Sequence, residues 1–444
     1  MIKFIKALYI KNRFFVALAA TVIVFGFSFG WPYLFPIAQF MLIGCAVLLI
    51  ADTVILFIPN STIIASRRLN RQLSLGDENP VSITLLNRMR IPVDIVVHDE
   101  VPVQLQWRNF KMKAHLDMGE RKMLQYTVRP TERGEFNFGK LNIFCTSFLG
   151  FAERRIIIDE DFNAAVYPSI LQMRKYELKI TNKVSLSEGI KKIRRLGHNN
   201  EFEQIKPYVK GDDYRSINWK ATSRKHELMV NQYQDEKSQQ VYCIIDKSRV
   251  MRMAFNGLTL LDHSINSALV ISNTALIKYD RAGILTFADK IGSHIPAERS
   301  STQLKQILEL LYRQKTKFME SNYELLHYSI QKNIKGRSLL FLFSNFESQY
   351  SLQRALPVLR KISQRHLLCV IFFHNTAFDT INETQAVNLK EVYLKTITQK
   401  FSEEKKRMVQ ELRQYGIQAI LTTPENLSID TINKYLELKS RGMI

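Results

Sequence analysis

Apolar and polar positions divide the chain into stretches with different periods. Near the amino terminus, two apolar runs cover residues 14–35 and 37–58, and Pro32 and Pro36 break them. Each run is long enough to cross a hydrocarbon layer about 30 Å thick. The pattern therefore predicts a hairpin of two transmembrane helices over residues 1–60.

Basic residues flank the predicted hairpin on both sides. Lysine and arginine occur in residues 1–13 and 67–71, whereas the turn at residues 31–36 carries no charge. The positive-inside rule then predicts that both termini lie in the cytoplasm. A cleaved signal peptide is the competing interpretation of the first run, but a second run follows at once and no small-residue cleavage site is evident.

Residues 61–168 change to short segments of alternating apolar and polar residues. These segments are rich in Val, Ile, Phe and Tyr, and Gly, Asn, Asp and Pro separate them. Such alternation is typical of a β-sandwich, and it predicts an immunoglobulin-like domain of about seven strands. No catalytic constellation occurs in this region, so we expect a spacer or a docking surface.

From residue 241 to residue 444, apolar runs of strand length alternate with segments of helical period. The runs are apolar throughout, as expected of parallel strands that are covered on both faces. Strand–helix alternation predicts a doubly wound α/β domain. The predicted strands are 241–246, 282–287, 339–344, 367–373 and 418–421, with an edge strand at 290–295, and the predicted helices are 258–279, 302–313, 323–332, 352–364, 389–415 and 429–439.

The connector over residues 169–240 contains the stretch EFEQIKPYVKGDDYRSINWKATSR at residues 201–224. It has no sustained helix or strand period, which predicts a loop-rich segment of the kind that often carries function. It resembles the signature of the bacterial family known as domain of unknown function 58, whose form is close to GDD.R.I(D/N)W.A(T/S)(A/S)R. The residues interpreted as this signature, or as partner-binding, are Glu201, Pro207, Tyr208, Gly211, Asp212, Asp213, Arg215, Asn218, Trp219 and Arg224.

This resemblance implies a fold and a partner. The family's main body is von Willebrand factor type A-like, which is a Rossmann-like α/β fold, and its members often have two N-terminal membrane spans. They are often encoded beside MoxR-type AAA+ ATPases, which implies such an ATPase as the partner. Our first hypothesis is a non-enzymatic adaptor of the bacterial inner membrane that acts in the assembly or activation of envelope proteins.

The resemblance also implies a cation site, and this chain matches it in part. Type A domains usually hold a divalent cation such as Mg²⁺ with a D-x-S-x-S loop, a threonine and a second aspartate. Asp246 and Ser248 match the loop, Ser321 is a substitute for the threonine, and Asn345 replaces the second aspartate. Val250 stands where a further serine would be and offers no oxygen ligand. A weakened Mg²⁺ site, or a turn capped by Asp246, is therefore expected.

Acidic residues suggest an alternative hypothesis. Glu201, Asp212, Asp213 and Asp246 could perform metal-assisted hydrolysis if their carboxylates converged. The sequence contains no P-loop, GxSxG or HExxH motif and no recognisable nucleophile–base pair. We therefore prefer binding over catalysis.

In the preferred interpretation, residues 201–224 form an ordered polar lid near the carboxyl ends of the strands. Asp212 and Asp213 would bond nearby backbone N–H groups in a tight turn. Arg215 and Arg224 would clamp carboxylates, and Trp219 would pack the stretch onto the sheet.

Composition adds a third hypothesis and excludes a disulfide framework. The formal net charge of +21 suits a polyanion such as nucleic acid or an anionic membrane leaflet. Nucleic acid is disfavoured because no aromatic residues interleave with the basic run at residues 191–195. The four cysteines are widely separated in apolar stretches and predict buried free thiols, namely Cys45, Cys145, Cys243 and Cys369.

Overall fold

The structure is a computed structural model, and its residues fall into two compact units, Met1–Tyr167 and Pro168–Ile444. Each unit is described by itself. The structure describes residues 7–58, 62–107, 110–181, 200–210, 212–235, 238–376, 378, 381 and 388–443.

The first unit begins with strand β1 (Leu8–Ile10) and two apolar helices, α1 (Asn12–Ser28) and α2 (Leu34–Leu56). By length and composition α2 could cross a membrane, whereas α1 is a shorter apolar helix. The first helix ends earlier than the apolar run at residues 14–35 predicts, because Pro32 disfavours helix in the residues before it. The second begins before Pro36, since the first helical turn tolerates proline.

The rest of the first unit is β-rich, as predicted. Within the described residues it has ten further strands: β2 (Ile63–Arg68), β3 (Gln72–Ser74), β4 (Asn79–Asn87), β5 (Val93–Asp99), β6 (Met112–Leu116), β7 (Arg121–Val128), β8 (Gly134–Phe138), β9 (Leu141–Thr146), β10 (Ala152–Ile158) and β11 (Phe162–Tyr167). They form the sheets β1-β10-β9-β5-β6, β2-β4-β7 and β3-β11-β8. Strands outnumber the prediction because segments as short as β3 are too short to show alternation.

A buried polar network lies within this β-rich part. The Arg67 side chain is 1% exposed and pairs with the fully buried Asp99 carboxylate. Arg67 also donates to the carbonyl of Gly139 at 3.0 Å and to that of Glu160, while Tyr126 donates to Asp99. Because these residues come from separate strands and loops, the network ties distant parts of the chain together.

Helix α2 is bonded to the β-rich part through the buried Asp52. Its Oδ2 atom accepts the N–H groups of Phe151 and Ala152, both at 2.8 Å, and its Oδ1 atom accepts the hydroxyl of Ser147. Near the end of the helix, Arg154 donates to the carbonyl of Leu56 at 2.7 Å. An acid inside an apolar run thus joins the helix to the loop before β10.

We expect Asp52→Leu to weaken the attachment of α2 to the loop before β10. Three donors would lose their acceptor, and each unsatisfied buried donor costs about 1–3 kcal/mol. Hydrogen exchange in detergent should become faster at the amides of Phe151 and Ala152. The control is Thr53→Ala, which removes a hydroxyl bonded only to the carbonyl of Leu49 within the same helix. Unchanged exchange in Asp52→Leu would contradict this role.

The second unit is an α/β unit. Its strands are β12 (Asn200–Pro207), β13 (Met229–Asp235), β14 (Gln240–Asp246), β15 (Ala254–Phe255), β16 (Leu258–Thr259), β17 (Arg281–Phe287), β18 (Ile291–Glu298), β19 (Leu339–Phe343), β20 (Leu367–Phe373) and β21 (Gln418–Thr422). Its helices are α3 (Ile170–Thr181), α4 (Trp219–Lys225), α5 (Leu260–Ile277), α6 (Gln303–Tyr312), α7 (Tyr323–Asn333), α8 (Gln349–Arg365), α9 (Leu389–Gln414) and α10 (Leu427–Ser440).

Its main sheet has the order β18-β17-β14-β19-β20-β21. All neighbouring pairs are parallel except β17 and β18, which are antiparallel. Alternate residues of β14 lie in two different apolar cores. Cys243 and Ile245 pack into one core, and Tyr242 and Ile244 pack into the other. Both faces of the sheet are therefore covered, as the continuous apolar runs predict.

The cysteines are free thiols, as expected. Three of them are buried, namely Cys145, Cys243 and Cys369. The fourth, Cys45 in α2, is half-buried. Burial raises the pKa of Cys243 to about 12, so this thiol stays protonated at neutral pH. It therefore acts as a packing residue.

Candidate functional site

A buried carboxylate lies at the carboxyl end of β14. The Oδ1 atom of Asp246 accepts the N–H of Ser248 at 2.9 Å, and its Oδ2 atom accepts the hydroxyls of Ser321 at 2.6 Å and Ser344 at 2.8 Å. The Ser321 and Ser248 hydroxyl oxygens are 2.8 Å apart. We call these four residues the Asp246 cluster. The expectation that Asp246 caps a backbone turn is confirmed by its bond to Ser248.

The parallel sheet explains why these residues meet. Strands β14 and β19 are neighbours, and Ser344 follows β19 directly, so both chain ends reach the same edge of the sheet. Ser321 comes from the loop before α7. That loop is bonded to the sheet edge because Asn322 donates its N–H to the carbonyl of Ala288 at 2.9 Å.

Asn345, which the sequence predicts as a ligand, does not join the cluster. Its Oδ1 atom accepts a hydrogen bond from Lys405 at 2.7 Å, and Lys405 also donates to the carbonyl of Phe346. Burial lowers the pKa of Lys405 to about 8. Ser344 occupies the place in the cluster that was expected for Asn345, because successive residues of an extended chain point in opposite directions. The signal for Ser344 was a hydroxyl residue at the first position after the strand.

Tyr323 extends the cluster. Its hydroxyl lies 2.9 Å from the Ser344 hydroxyl, and burial raises the pKa of Tyr323, so the phenol stays neutral. Since Ser344 donates its hydrogen to Asp246, Tyr323 donates to Ser344. The phenol thereby orients the serine towards the carboxylate.

The charge of Asp246 is balanced by dipoles. Burial raises its pKa, while hydrogen bonds from the serines oppose that rise, and the pKa remains above the usual value. Its hydrogen-bond partners in the described part of the chain are all neutral. The expected alternative, an ion pair with a basic residue of the signature stretch, does not occur among these contacts.

The cluster fits a weak Mg²⁺ site. Carboxylate and hydroxyl oxygens are the ligands that this cation prefers, and Asp246, Ser248, Ser321 and Ser344 would hold it. The set carries one formal negative charge, and Val250 adds no oxygen. Among the described residues, no group of three or more His, Cys, Asp or Glu side chains is placed to bind a metal.

An open cavity of about 630 Å³ lies beside the cluster. Both Ser248 and Ser321 line it, so the cluster reaches the surface there. Its walls carry both signs of charge, including Arg249, Arg354 and Glu347. Such a wall suits a polar protein surface better than an apolar small molecule.

The signature stretch forms a different structure from the predicted loop. Strands β12 and β13 pair antiparallel, from Asn200 opposite Asp235 to Pro207 opposite Met229. We call the described residues between 200 and 235 the signature hairpin. The loop prediction is wrong for its first part, because a strand with a single partner can remain polar and shows little alternation.

Within the hairpin, the two aspartates stabilise a turn, as expected. Asp212 bonds the ammonium of Lys206 at 2.8 Å and accepts the N–H of Val209 at 3.0 Å. Asp213 accepts the N–H of Arg215 at 3.0 Å. These carboxylates are occupied by the hairpin itself.

Other signature residues join the helix α4 to the strands. Asn218 caps α4 by accepting the N–H of Ala221 at 3.0 Å, and its own N–H donates to the carbonyl of Met229 at 2.8 Å. Tyr208 donates its N–H to the carbonyl of Leu228 at 2.7 Å. The signature therefore specifies the local fold of the hairpin.

Several expectations about the signature stretch and the basic run before it are wrong or fall outside the described residues. Trp219 is 70% exposed and does not pack on the sheet. Arg215 lies over the Tyr214 ring, 5.7 Å from its centroid, and the ion pairs of the described side chains join neither Arg215 nor Arg224 to a carboxylate. Gly211, the side chain of Glu201 and the basic run at 191–195 lie outside the described residues.

The hairpin and the Asp246 cluster are not brought together. The hairpin leads into the amino end of β14, whereas Asp246 lies at its carboxyl end, six residue steps or about 20 Å away. The described residues that line the cavity include none from the hairpin. The expected lid over the carboxyl ends of the strands is therefore absent from the described residues.

Comparison with known proteins bears on both features. Residues 204–390 match the family model described as Protein of unknown function DUF58. The predicted resemblance is confirmed over this part of the chain. The DUF58 region contains most of the signature hairpin and the whole Asp246 cluster.

A curated relative and several solved structures are also similar. Uncharacterized protein YeaD of Bacillus subtilis (strain 168) is 24% identical over 190 residues, which are 41% of this chain and 47% of that protein. The chain thus spans about half the length of this relative. The CARDB domain of the PF1109 protein from Pyrococcus furiosus matches 24% of this chain and 88% of that domain, with 11% identity and a TM-score of 0.17. Alpha-2-macroglobulin from Escherichia coli matches 24% of this chain and 17% of that one, with 17% identity and a TM-score of 0.21.

Proposed function

We propose that this chain is a membrane-anchored adaptor that binds a protein partner and catalyses no reaction. In this proposal its α/β unit is von Willebrand factor type A-like, and its β-rich part is an immunoglobulin-like spacer. The partner is a MoxR-type AAA+ ATPase, and the pair acts in the assembly or activation of envelope proteins. The family resemblance supports the choice of partner.

The composition of the Asp246 cluster carries the proposal. It holds one carboxylate and three serine hydroxyls, with the neutral phenol of Tyr323 beside it, and the carboxylate accepts hydrogen bonds from two of these hydroxyls and from a backbone N–H. Metal-assisted hydrolysis requires a base or further carboxylates near the ion. Asp212 and Asp213, which the hydrolase hypothesis needs, are bonded within the signature hairpin. These contacts favour recognition over hydrolysis.

The apolar helices support the membrane anchor. Their large side chains are mostly exposed, for example Val22 at 61% and Phe40 at 76%, which suits a lipid environment. Helix α1 has 17 residues and a length of about 25 Å, so it would span with local thinning of the bilayer. In this proposal the chain is a two-span protein of the bacterial inner membrane with both termini in the cytoplasm.

A binding experiment tests the adaptor proposal. The full chain, purified in detergent, is immobilised and exposed to a purified MoxR-type AAA+ ATPase from the same organism. We expect the wild type to retain the ATPase, and Asp246→Asn to weaken retention about tenfold, which corresponds to about 1.4 kcal/mol. The neutral asparagine removes the buried charge behind Ser248 and Ser321, which line the cavity, but keeps an acceptor oxygen.

The matched control is Asp117→Asn, which removes an exposed carboxylate, with 77% of its side chain accessible, from the β-rich part. It should retain the ATPase as well as the wild type does. If the wild type itself retains none, the ATPase is not the partner. If all three chains retain it equally, the Asp246 cavity is not the binding site.

A further inference from the structure

Two large aromatic side chains are exposed on the signature hairpin. Tyr214 is 68% exposed, and Trp219 is 70% exposed. The turn and helix cap of the hairpin are instead bonded by Asp212, Asp213 and Asn218. The two rings thus present apolar surface that the local fold does not use.

Basic side chains surround these rings. The described residues nearby include five exposed bases: Lys210, Arg215, Lys220, Arg224 and Lys225. Of the acids, Asp212 is paired with Lys206 and Asp213 is bonded to the backbone. Glu227 is the remaining acid between residues 205 and 230, so this part of the hairpin carries an excess of positive charge.

The placement of two of these bases is unfavourable without an anion. Lys220 and Arg224 are four residues apart in helix α4, so they lie on the same face. Like charges at this spacing repel each other. A carboxylate placed between them would remove the repulsion and gain charge-assisted hydrogen bonds.

Local contacts order the backbone and one of the rings before any partner binds. Arg215 covers one face of the Tyr214 ring, and Trp219 is the first residue of a helix capped by Asn218. Tyrosine, tryptophan and arginine are the residues that most often contribute the main binding energy of protein interfaces. An ordered backbone at these residues lowers the conformational freedom that is lost on binding.

We propose that Tyr214, Arg215, Trp219, Lys220 and Arg224, which we call the hairpin tip, dock an acidic segment of a partner protein. The choice of a protein rests on the proposed adaptor role, but this surface is distinct from the Asp246 cavity. The open ribbon supports a protein occupant, because among the described strands β12 pairs only with β13. An extended segment can pair with such an edge, whereas a lipid headgroup cannot.

Photo-cross-linking identifies the occupant. A benzoyl-phenylalanine residue at position 214 of the full chain is activated in membranes of the producing cells, and the cross-linked peptides are sequenced. The expected product is an adduct with a protein segment rich in Asp and Glu. Adducts with phospholipid alone, with another copy of this chain, or with nothing would overturn the proposal.

The cross-linked segment, made as a labelled peptide, then tests the chemistry. Its Kd for the detergent-purified chain should rise about tenfold in Trp219→Ala and in Arg224→Glu. Changing one peptide glutamate to lysine should restore binding to Arg224→Glu in part. Tyr350→Ala and Arg407→Glu change an exposed ring and an exposed guanidinium elsewhere in the unit, and they should bind as the wild type does.

Three further outcomes separate this proposal from others. Equal binding by all four variants would overturn the hairpin tip as the docking surface. Phosphatidylglycerol vesicles that displace the peptide completely would indicate a lipid surface instead. If the ATPase is not retained but the acidic peptide binds as described, the ATPase proposal fails and the hairpin tip proposal stands.

Discussion

Asp246→Ala is expected to destabilise the α/β unit by about 3 kcal/mol or more, since each donor without an acceptor costs about 1–3 kcal/mol. The N–H of Ser248 and the hydroxyls of Ser321 and Ser344 would all lose their acceptor. Asp246→Asn keeps one acceptor oxygen and removes the buried charge. We expect this variant to be at least as stable as the wild type at neutral pH.

The difference between wild type and Asp246→Asn should depend on pH. Burial raises the pKa of Asp246 in the folded chain, so the stability that this group contributes is complete below its unfolded pKa of about 4. It is lost as the pH rises through the folded pKa. The asparagine variant should therefore gain stability relative to the wild type as the pH increases from about 4 to 7.

Denaturant unfolding of the full chain in detergent measures both effects. The solutions contain a chelator, so that divalent cations do not contribute. Unfolding free energies of wild type, Asp246→Asn and Asp246→Ala are compared at pH 5 and pH 7. A constant difference between wild type and the asparagine variant would show that the carboxyl group titrates normally when the chain is folded.

Arg67→Met is expected to destabilise the β-rich part by about 3–5 kcal/mol, because it leaves a buried carboxylate without its partner. Asp99 is fully buried, and burial already raises its pKa despite the neighbouring guanidinium. Without Arg67, the carbonyls of Gly139 and Glu160 also lose a donor. Removal of the guanidinium therefore removes its charge and its hydrogen bonds, and this destabilises several strands and loops at once.

Calorimetry of the full chain in detergent tests this expectation, since the transition of the first unit should shift to lower temperature. Arg68→Met, at the exposed neighbouring position, is the matched control and should leave the transition unchanged. The double variant Arg67→Met with Asp99→Leu should recover part of the loss, because both charges are then absent. Equal destabilisation by the single and double variants would indicate lost packing instead of an unpaired charge.

Much of the fold follows from the sequence. The strand predicted at residues 367–373 matches β20 residue by residue, because a continuous apolar run bounded by polar residues leaves few alternatives. The helix predicted at 389–415 differs from α9 by one residue. In the β-rich part, the strands with alternating burial, such as β4, were predicted, whereas the three-residue β3 was not.

The candidate site was predicted less completely. The sequence predicts three members of the cluster, Asp246, Ser248 and Ser321. The prediction rests on an aspartate at the end of an apolar strand and on the family resemblance. The sequence points to Asn345, whereas the structure places Ser344 in the cluster, because one position along an extended chain reverses the direction of the side chain. The sequence does not specify that direction where a strand gives way to a loop.

The sequence by itself therefore determined the apolar hairpin, the β-rich middle, the α/β alternation and the DUF58 signature, because each depends on local periods or on neighbouring residues. The tertiary structure decided which polar groups meet. Asp246 and Ser344 are 98 positions apart, and Asp52 and Phe151 are 99 apart. It also decided that Trp219 is exposed. Such contacts depend on the packing of distant segments, which no local pattern encodes.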